Sequence, residues 1–322
     1  ARYGVKYIYG KPMEYITAED IAFRIAPCIN ASGRLYAKGA ELPLLLLLEN
    51  NEEIADLLAG KVIEANEKRK KIQRECYEQM KQEAERRIAA GDKILVLYAP
   101  FAPSGVVGLI AGDLKEEYHR PCIVFAPKSD GTGQVIWCGS GRSIKAYHLL
   151  NGLNRCSDLF LHYGGHELAA GMSISADEKL LEELRARLNE DASYLTEEDM
   201  QPVRQWDIAI TEMDLTEELY EEMNCLEPFG TGVERPIFKM TLHVKSKNNK
   251  SYEIMGTDKK HLRLYCDSYQ AVGFSLAEKY LQTELPGVMT GYGYPSENHY
   301  RGQTYKQFTL LDFVADQAQK GQ

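Results

Sequence analysis

The chain has 322 residues, of which 44% are hydrophobic and 26% are charged, and its formal net charge is −9. This length leaves room for two or three domains, and the composition is ordinary for a globular protein. The negative charge excludes attraction of nucleic acid to the whole surface, so a nucleic-acid interface must rest on local patches. The sequence contains no run of 18 apolar residues, so it predicts no membrane segment.

Seven cysteines are spread along the chain, and none of them forms a Cys-x-x-Cys pair. An odd number of widely spaced thiols does not suit a disulfide framework, and the missing pairs argue against a structural zinc site. The pattern therefore predicts reduced thiols in a cytoplasmic protein.

The N-terminal part of the chain is predicted to be helical. Residues 17–20, Thr-Ala-Glu-Asp, have the spacing of a capping box, which indicates a helix that begins there and that Pro27 stops. Residues 41–90 alternate acids with bases and hold almost no glycine or proline after Gly60, so we predict a helix-rich region whose long, solvated helix ends at Gly91. A free-standing coiled coil is less favoured because the apolar residues keep no steady heptad.

Between residues 93 and 188, short apolar runs alternate with amphipathic segments, which predicts an α/β domain whose helices cover a sheet. The predicted strands are 94–98, 122–126, 135–138 and 172–175, and the predicted helices are 106–118, 146–153 and 177–188. A polar linker follows at 191–204. Beyond it, short β-like runs and one helix at 217–225 predict a compact barrel of about five strands. These runs are 206–210, 237–245, 252–256, 261–266, 270–274, 287–294 and 305–314.

A Gly-Gly-His motif at Gly164, Gly165 and His166 is the first candidate for a binding site. Two glycines let the backbone approach a ligand closely, and a helical turn predicted to follow them would aim free N–H groups at it. That arrangement suits a phosphate, and His166 would add a donor or a proton carrier. Taken alone, the motif is explained equally well by a structural turn.

Two arginines that follow glycines favour the ligand interpretation. Arg142 lies between Ser140 and Ser143 at the end of a β-like run, and Arg34 follows Asn30 by four residues. A guanidinium can fork onto two phosphate oxygens, so both side chains suit the backbone of a nucleic acid. The sequence therefore predicts a phosphate site that combines these residues with the Gly-Gly-His motif.

A second candidate surface lies in the C-terminal third. Residues 239–263 carry seven Lys or Arg against two acids, and aromatic residues interleave with bases here. Aromatic rings stack on unpaired bases for about 1–3 kcal/mol per base. A solvated hairpin with lysine-rich turns is the alternative, and we expect two or three of the tyrosines to touch nucleic acid. The candidate nucleic-acid-binding residues are Tyr252, Lys259, Lys260, Arg263, Tyr265, Tyr292 and Tyr294, with Phe274, Tyr300, Arg301, Tyr305 and Lys306 in the wider group.

The motifs, in this order, resemble the C-terminal part of the RecJ family of single-strand-DNA-specific 5′ exonucleases, in the DHH/DHHA1 phosphoesterase superfamily. The resemblance runs from about residue 17 to the end of the chain. The matching motifs are Pro-x-Ile-Asn-Ala-x-Gly-Arg at 27–34, Gly-Val-x-Gly-x-x-Ala at 105–111 with Tyr-His-Arg-Pro at 118–121, Gly-Arg-Ser-Ile at 141–144, Gly-Gly-His at 164–166 with Ala-Ala-Gly at 169–171, and Leu-Glu-Pro-Phe-Gly at 226–230 with Pro-Ile-Phe at 236–238.

The resemblance implies an α/β plus β fold in four parts. Residues 1–48 would be the end of a DHH catalytic domain, and residues 49–91 a long connecting helix. Residues 92–192 would form a DHHA1-like α/β domain with a mixed sheet that binds phosphate or nucleic acid. Residues 205–316 would form an OB-fold-like β-barrel that binds single strands.

The resemblance also implies a function. The family degrades single-stranded DNA from the 5′ end by metal-assisted hydrolysis, in DNA repair and recombination. By this likeness, Arg142, Ser143 and the turn from Gly164 to His166 hold a phosphate at or next to the scissile position, with Asn30 and Arg34 on the opposite wall. The expected partner is single-stranded DNA, with a single-strand-binding protein or a helicase as candidate protein partners and no membrane.

The family's Asp-His-His motif, part of the set that holds two divalent metals, occurs nowhere in the sequence. We therefore expect no catalytic residue, metal site or cofactor in this chain, and Mn²⁺ or Mg²⁺ in a longer protein. Residues 102–104, Ala-Pro-Ser, depart from the family's Trp-His-Pro-like segment, so a ligand role for that loop does not carry over.

The chain starts with Ala1 and opens near an element that the family places late in its catalytic domain. We expect a piece of a longer protein that is inactive alone, made by design or by proteolysis; the alternative is a natural paralogue that lost its catalytic half. Two other functions stay open. One is a non-catalytic scaffold that binds single-stranded nucleic acid, and the other is an oligonucleotide or nucleotide phosphatase of the same superfamily. The long helix and the β-rich region argue against the phosphatase.

Overall fold

The computed structural model describes residues 2–10, 16–202, 205–230, 232–246, 250–256, 259–283, 287–300 and 303–315. Some predicted features lie outside these residues, namely Lys247 and Asp258 of the charged stretch, Arg301 of the aromatic and basic group, and the outer bounds of the first and last predicted domains. The chain forms two compact units, Ala1–Pro202 and Val203–Gln322, which divide within the predicted linker.

The first unit opens with a group of helices whose apolar sides pack together. Their core includes Ile8, Ile25, Leu46, Ala59 and Val62. The helices are α1 (Arg2–Tyr9), α2 (Ala18–Asp20), α3 (Ala26–Leu35), α4 (Glu41–Leu48) and α5 (Glu52–Ala89), with a π-helical stretch, Ile21–Ile25, that joins α2 to α3.

Two signals at the helix ends were predicted correctly, and one was wrong. The side chains of Thr17 and Asp20 form the predicted capping box, and α5 ends just before Gly91, which adopts a φ of 97°. Pro27, however, lies in the first turn of α3 and does not stop the helix. A proline is tolerated in a first turn because the N–H that it lacks has no obligatory partner there, and the wider π-helical turns lead into that position.

An α/β layer follows the long helix. Its five-stranded sheet has the order β1-β2-β3-β5-β4, in which β1 and β2 are parallel and the other neighbours are antiparallel, so the predicted mixed sheet is confirmed. Helices α5 and α6 cover one face, and α7 and α8 cover the other. The elements are β1 (Leu95–Tyr98), α6 (Val107–Tyr118), β2 (Cys122–Ser129), β3 (Val135–Arg142), α7 (Leu149–Arg155), β4 (His162–Gly165), β5 (Ala169–Ser175) and α8 (Glu178–Asp191).

The second unit is built on a seven-stranded sheet with the order β6-β7-β11-β12-β10-β9-β8. All seven β-like runs form strands, so the sheet is larger than the predicted five, because β6 and β8 extend it at its two ends. The helix α9 was predicted with its observed bounds, whereas α10 was missed because six residues are too short for a helical period to show. The elements are β6 (Ile208–Ile210), α9 (Glu217–Cys225), β7 (Phe238–His243), β8 (Tyr252–Met255), β9 (His261–Tyr265), β10 (Gln270–Gly273), α10 (Ala277–Gln282), β11 (Val288–Tyr300) and β12 (Gln303–Ala315).

The seven cysteines are unpaired thiols, as predicted. Five of them are buried, Cys138 is half-buried and Cys225 is exposed at the end of α9. Burial raises the pKa of each of the five buried thiols, because the thiolate would lose its hydration. Those five thiols are therefore held in their neutral form.

Candidate nucleic-acid interface

One face of the first unit's sheet brings several predicted residues together. Arg142 on β3 lies opposite Ala169 on β5, and Ser140 lies opposite Gly171, which in turn lies opposite Gly164 on β4. Residues that face each other across strands, and residues two apart along a strand, share one face of a sheet. Ser140, Arg142, Gly164 and Gly171 therefore line the same face.

Helix α6 approaches this face and fixes Arg142. A Cβ on Gly108 would lie 2.8 Å from Ser140 Oγ and 3.1 Å from Arg142 Nη2, so a larger residue there would displace these two side chains. Arg142 Nη1 donates to Ser140 Oγ at 3.0 Å and to the Gly141 carbonyl at 2.8 Å. Burial, and then the charge of Arg34, lower the pKa of Arg142. The ordinary pKa of an arginine is so high that the guanidinium still stays a cation.

Arg34 reaches the same place from the last turn of α3. Its Nη1 donates to the Gly105 carbonyl at 3.3 Å, just before α6. A Cβ on Gly105 would lie 2.1 Å from the Arg34 carbonyl oxygen, so the two backbones are in contact. In the described part of the chain, the Arg34 guanidinium contacts a backbone carbonyl oxygen. The Arg142 guanidinium contacts a serine hydroxyl and a backbone carbonyl oxygen. The charges of the two guanidiniums thus meet at a place where an anion would be stabilised.

The Gly-Gly-His motif lies on this face, but the helical turn predicted after it is wrong. Gly164 and Gly165 end β4, and His166 begins the turn into β5, where its N–H donates to the Ala169 carbonyl at 2.8 Å. The residues after the turn therefore continue as a strand, and no helix N-terminus points at a ligand here. A Cβ on Gly165 would lie 2.4 Å from the Ala169 oxygen, so this glycine closes the hairpin.

The two other glycines leave the face open. Gly164 and Gly171 face each other on neighbouring strands, and a Cβ on either would meet nothing within 4 Å. His166 is exposed and stands opposite Ala169, which is itself opposite Arg142. Since strands are about 4.8 Å apart, the backbones of His166 and Arg142 are roughly 10 Å apart on one face. We call the open surface formed by Gly164, Gly171 and Ala169, with Arg142 at one side and His166 at the other, the shelf.

The two remaining predicted residues of the first unit behave differently. Asn30 is exposed on α3, one helical turn before Arg34, and so lies on the same side of that helix. Ser143 is buried; its hydroxyl donates to the Tyr147 carbonyl at 2.7 Å and its N–H donates to the Leu168 carbonyl at 2.9 Å. Both donors of Ser143 are therefore used inside the protein, which gives this residue a structural task.

A polar network that the sequence analysis missed lies behind Arg34. Arg69 on α5 donates to Gln73 and to Asn66, each at 2.6 Å, and Gln73 donates to Asp113 on α6 at 2.6 Å. Burial, and then the charge of Arg34, lower the pKa of Arg69, so this third guanidinium also lies near the site. The Lys-Arg-Lys-Lys run at 68–71 was the available signal, but the alternation of acids and bases along the whole helix indicated a solvated face.

Asp113 gives this network a testable pH dependence. Burial raises the pKa of Asp113, although Gln73 and Arg69 act against that rise. The folded chain therefore binds this proton more tightly than the unfolded chain does, and stability falls as pH rises from about 4 through the raised pKa. We expect Asp113→Asn to raise the midpoint of thermal unfolding at pH 8, followed by circular dichroism, and to have little effect at pH 4.

The matched control for this prediction has the opposite sign. The Asp199 carboxylate accepts from the N–H and the hydroxyl of Thr196, which lower its pKa. That stabilisation is present above the pKa of the unfolded state and is lost as pH falls, so Asp199→Asn should lower the midpoint at pH 8 and have little effect in acid. Equal effects of Asp113→Asn at both pH values would contradict the account of its burial.

In the second unit, the predicted nucleic-acid-binding residues do not form one surface. Tyr252 lies opposite buried Leu264 and packs edge-on against Tyr280, with ring centres 5.4 Å apart, so it belongs to the core side of the sheet. Strand alternation thus turns Tyr252 towards the core, which leaves less of its ring for nucleic acid. Arg263 and Tyr265 lie on the opposite face, where both donate to Glu253, at 2.8 and 3.2 Å. The charge of Arg263 is thus paired.

Three of the other predicted residues keep an accessible position. Lys259 and Lys260 are exposed in the turn before β9, and Tyr292 is half-buried beside Lys239 on the neighbouring strand. Tyr294 is also half-buried, and the Arg235 guanidinium lies over its ring at 4.3 Å.

Arg235 also lies over the Phe229 ring, at 4.5 Å, so one stack joins the predicted Leu-Glu-Pro-Phe-Gly segment to the sheet. Tyr294 therefore uses one ring face for this intramolecular contact, which leaves less of it for a base.

Comparisons with known proteins match both units. A model of the DHHA1 domain matches residues 91–193, and a model of the RecJ OB domain matches residues 206–312. The single-stranded-DNA-specific exonuclease RecJ of Bacillus subtilis (strain 168) is 33% identical over 267 residues, which are 81% of this chain and 32% of that protein. The chain belongs to the RecJ family. RecJ of Haemophilus influenzae is 28% identical over 322 residues, 95% of this chain and 53% of its own.

Solved RecJ structures agree with this assignment. RecJ from Thermus thermophilus in complex with Mn²⁺ matches with a TM-score of 0.76 and 26% identity, over 98% of this chain and 44% of that one. The Mg²⁺ complex matches with a TM-score of 0.72. The chain therefore spans between a third and about half of the RecJ proteins that it matches.

Those two RecJ structures are complexes with divalent metals, which raises the question of whether this chain could hold one. Among the described residues, no three His, Cys, Asp or Glu side chains are grouped as metal ligands. The described residues therefore do not fit a divalent-metal centre built from such side chains. The described helices also include none that is long and apolar enough to cross a membrane.

Proposed function

We propose that this chain is the strand-binding part of a RecJ-like exonuclease that hydrolyses single-stranded DNA from its 5′ end. The observation that carries the proposal is the meeting of Arg34 and Arg142, without carboxylate contacts in the described residues, beside the open shelf. Two fixed guanidiniums favour an anion, and an open backbone surface next to them accepts the sugar and base of the same nucleotide.

Each residue of the site has a distinct task in this proposal. Arg142 and Arg34 hold phosphate oxygens from two walls, and Ser140 holds the Arg142 guanidinium in place. Gly164 and Gly171 let the strand lie directly on the sheet, and His166 offers a hydrogen bond at the far side of the shelf. Asn30, on the Arg34 side, is a further polar contact. A lost charged hydrogen bond of this kind costs about 1.5–3 kcal/mol.

In the proposal, the second unit also contacts the strand. Lys259, Lys260 and Tyr292 are its accessible candidates, and they would bind with little dependence on sequence. Residues 1–48 would be the end of the DHH domain, and hydrolysis would use the metal centre of that domain with Mn²⁺ or Mg²⁺. We further propose a cytoplasmic protein of DNA repair and recombination, with a single-strand-binding protein or a helicase as candidate protein partners.

The test compares ligands by fluorescence anisotropy. We expect the chain to bind a labelled 12-nucleotide single strand with a 5′-phosphate more tightly than the same sequence as a duplex or a dinucleotide. Incubation with Mn²⁺ should leave the strand intact, because no metal-ligand group occurs in the described residues. Equal affinity for the dinucleotide would favour the small-substrate phosphatase, and digestion of the strand would overturn the assignment of hydrolysis to another part of the protein.

A further inference from the structure

A tyrosine and a lysine beside the phosphate site have no task in the function proposed above. Tyr36 directly follows α3, two residues after Arg34, and its side chain is 47% exposed. Lys68 on α5 places its Nζ 5.3 Å from the centre of the Tyr36 ring and 3.4 Å from the Tyr36 hydroxyl. Because nearly half of the residue is exposed, part of the ring is accessible beside the Lys68 cation at its hydroxyl end.

The position of Lys68 differs from that of most other cations on the same helix. Five of the other Lys and Arg side chains of α5 lie within 4.0 Å of a carboxylate. They are Lys70, Lys71, Lys81, Arg86 and Arg87. The contacts that the structure shows for Lys68 in the described residues are instead to the ring and hydroxyl of Tyr36. Its charge is thus not neutralised by an acid, in a chain whose net charge is −9.

The pair is continuous with the phosphate site. Arg69 follows Lys68 on α5 and is held by Asn66 and Gln73 in the polar network described above. Arg69 and Arg142 are both close enough to Arg34 for its charge to act on them. Arg34 is thus the cation that links Arg69 and Arg142, and Lys68 adds a further charge next to Arg69 on α5; together these cations favour a bound polyanion.

We propose that Tyr36 and Lys68 form a second nucleotide position for the single strand whose phosphate Arg34 and Arg142 hold. A base stacks on the face of the Tyr36 ring that Lys68 does not cover, and the Lys68 ammonium meets the adjacent phosphate. Stacking of this kind accepts any base, because every base has a π face. This inference rests on the proposed function and adds to it the contact that binds the strand beyond the first nucleotide.

Binding measurements on the whole chain test the pair. Tyr36→Leu should weaken binding of a 12-nucleotide strand about tenfold, and Tyr36→Trp should restore it because the indole also stacks. Lys68→Gln should lower the slope of log K against log salt by about 0.7, the value for one phosphate contact on a single strand. The matched controls are Tyr194→Leu, at a tyrosine that is 59% exposed in the same unit, and Lys71→Gln, at a lysine paired with Glu75. Both should bind as the unaltered chain does.

A crosslinking experiment locates the contact. A strand with 5-iodouracil at successive positions from its 5′ end should crosslink to Tyr36 at one or two of them, and Tyr36→Leu should lose that product. Crosslinks that never map to residues 34–38 would overturn the proposal. The same binding measurements with DNA and with RNA strands show which nucleic acid uses this contact. A loss of affinity in Tyr36→Leu for either strand supports the contact.

The outcomes separate this inference from the function on which it rests. A 5′-mononucleotide occupies only the phosphate site, so Tyr36→Leu should leave its affinity unchanged while Arg142→Ala lowers it. If the unaltered chain binds the 12-nucleotide strand and Tyr36→Leu binds it equally well with an unchanged unfolding midpoint, the second position is refuted and the phosphate site stands. If the unaltered chain binds no single strand at all, both proposals fail.

Discussion

Replacement of Arg142 with alanine is expected to lower the affinity for a 5′-phosphorylated single strand at least tenfold. The guanidinium is half-buried and is held by Ser140 Oγ and by the backbone, so it enters the complex already oriented and loses little side-chain entropy on binding. Removal of a charged hydrogen bond from such a site costs about 1.5–3 kcal/mol. Fluorescence anisotropy at several salt concentrations measures the loss, and the salt slope should fall by about 0.7.

Two variants make this experiment specific. Arg142→Lys keeps the charge but cannot fork onto two oxygens, so its affinity should lie between those of the alanine variant and the unaltered chain. Arg187→Ala removes a half-buried arginine that is already paired with Asp158 at 2.9 Å, and it should change neither affinity nor slope. If Arg142→Ala binds like Arg187→Ala, Arg142 is not a phosphate contact and the proposed function loses its main support.

Replacement of Gly105 with alanine is expected to abolish most strand binding without touching a binding side chain. The added methyl group would lie 2.1 Å from the Arg34 carbonyl oxygen, a distance that no rotamer change can relieve, because both partners are backbone or Cβ atoms. The end of α3 must therefore move away from α6, and Arg34 moves with it. We expect the loss of affinity to equal or exceed that of Arg34→Ala, together with a lower unfolding midpoint.

Gly112 provides the control on the same element. It lies on α6, and a Cβ there would meet nothing within 4 Å. Gly112→Ala should therefore leave binding unchanged and stabilise the chain by about 0.4–1 kcal/mol, because alanine loses less backbone entropy in a helix. Equal behaviour of the Gly105 and Gly112 variants in both assays would show that the contact between α3 and α6 does not position Arg34.

Local signals predicted the elements well where one physical rule dominated. The capping box at Thr17, the stop at Gly91 and the bounds of α9 depend on hydrogen bonds and backbone conformations within a few residues, which the sequence states directly. Pro27 was misjudged because the rule that proline ends helices neglects its tolerance in a first turn. The predicted helical turn after Gly165 failed for a related reason, since small residues suit either a helix turn or a close β-hairpin.

The site was predictable in its residue types and less so in its geometry. Arg34 and Arg142 stood out beside glycines. Their positions, however, also involve Gly105, which lies against the Arg34 backbone, and Gly108, which lies against the Arg142 side chain; these contacts appear only when α6 packs against α3 and β3. Aromatic content alone did not tell that the Tyr252 side chain lies on the core side of its sheet. Those outcomes depend on register and packing between distant segments, which local patterns do not encode.

The single exposed thiol among the seven cysteines has a practical consequence. Cys225 ends α9 in the second unit, whereas burial keeps five of the other thiols neutral and Cys138 is partly covered. Since maleimide reagents attack accessible thiolates, a short reaction at neutral pH should place one dye on Cys225 without mutagenesis. A chain labelled in this way would report strand binding by energy transfer from a donor on the oligonucleotide.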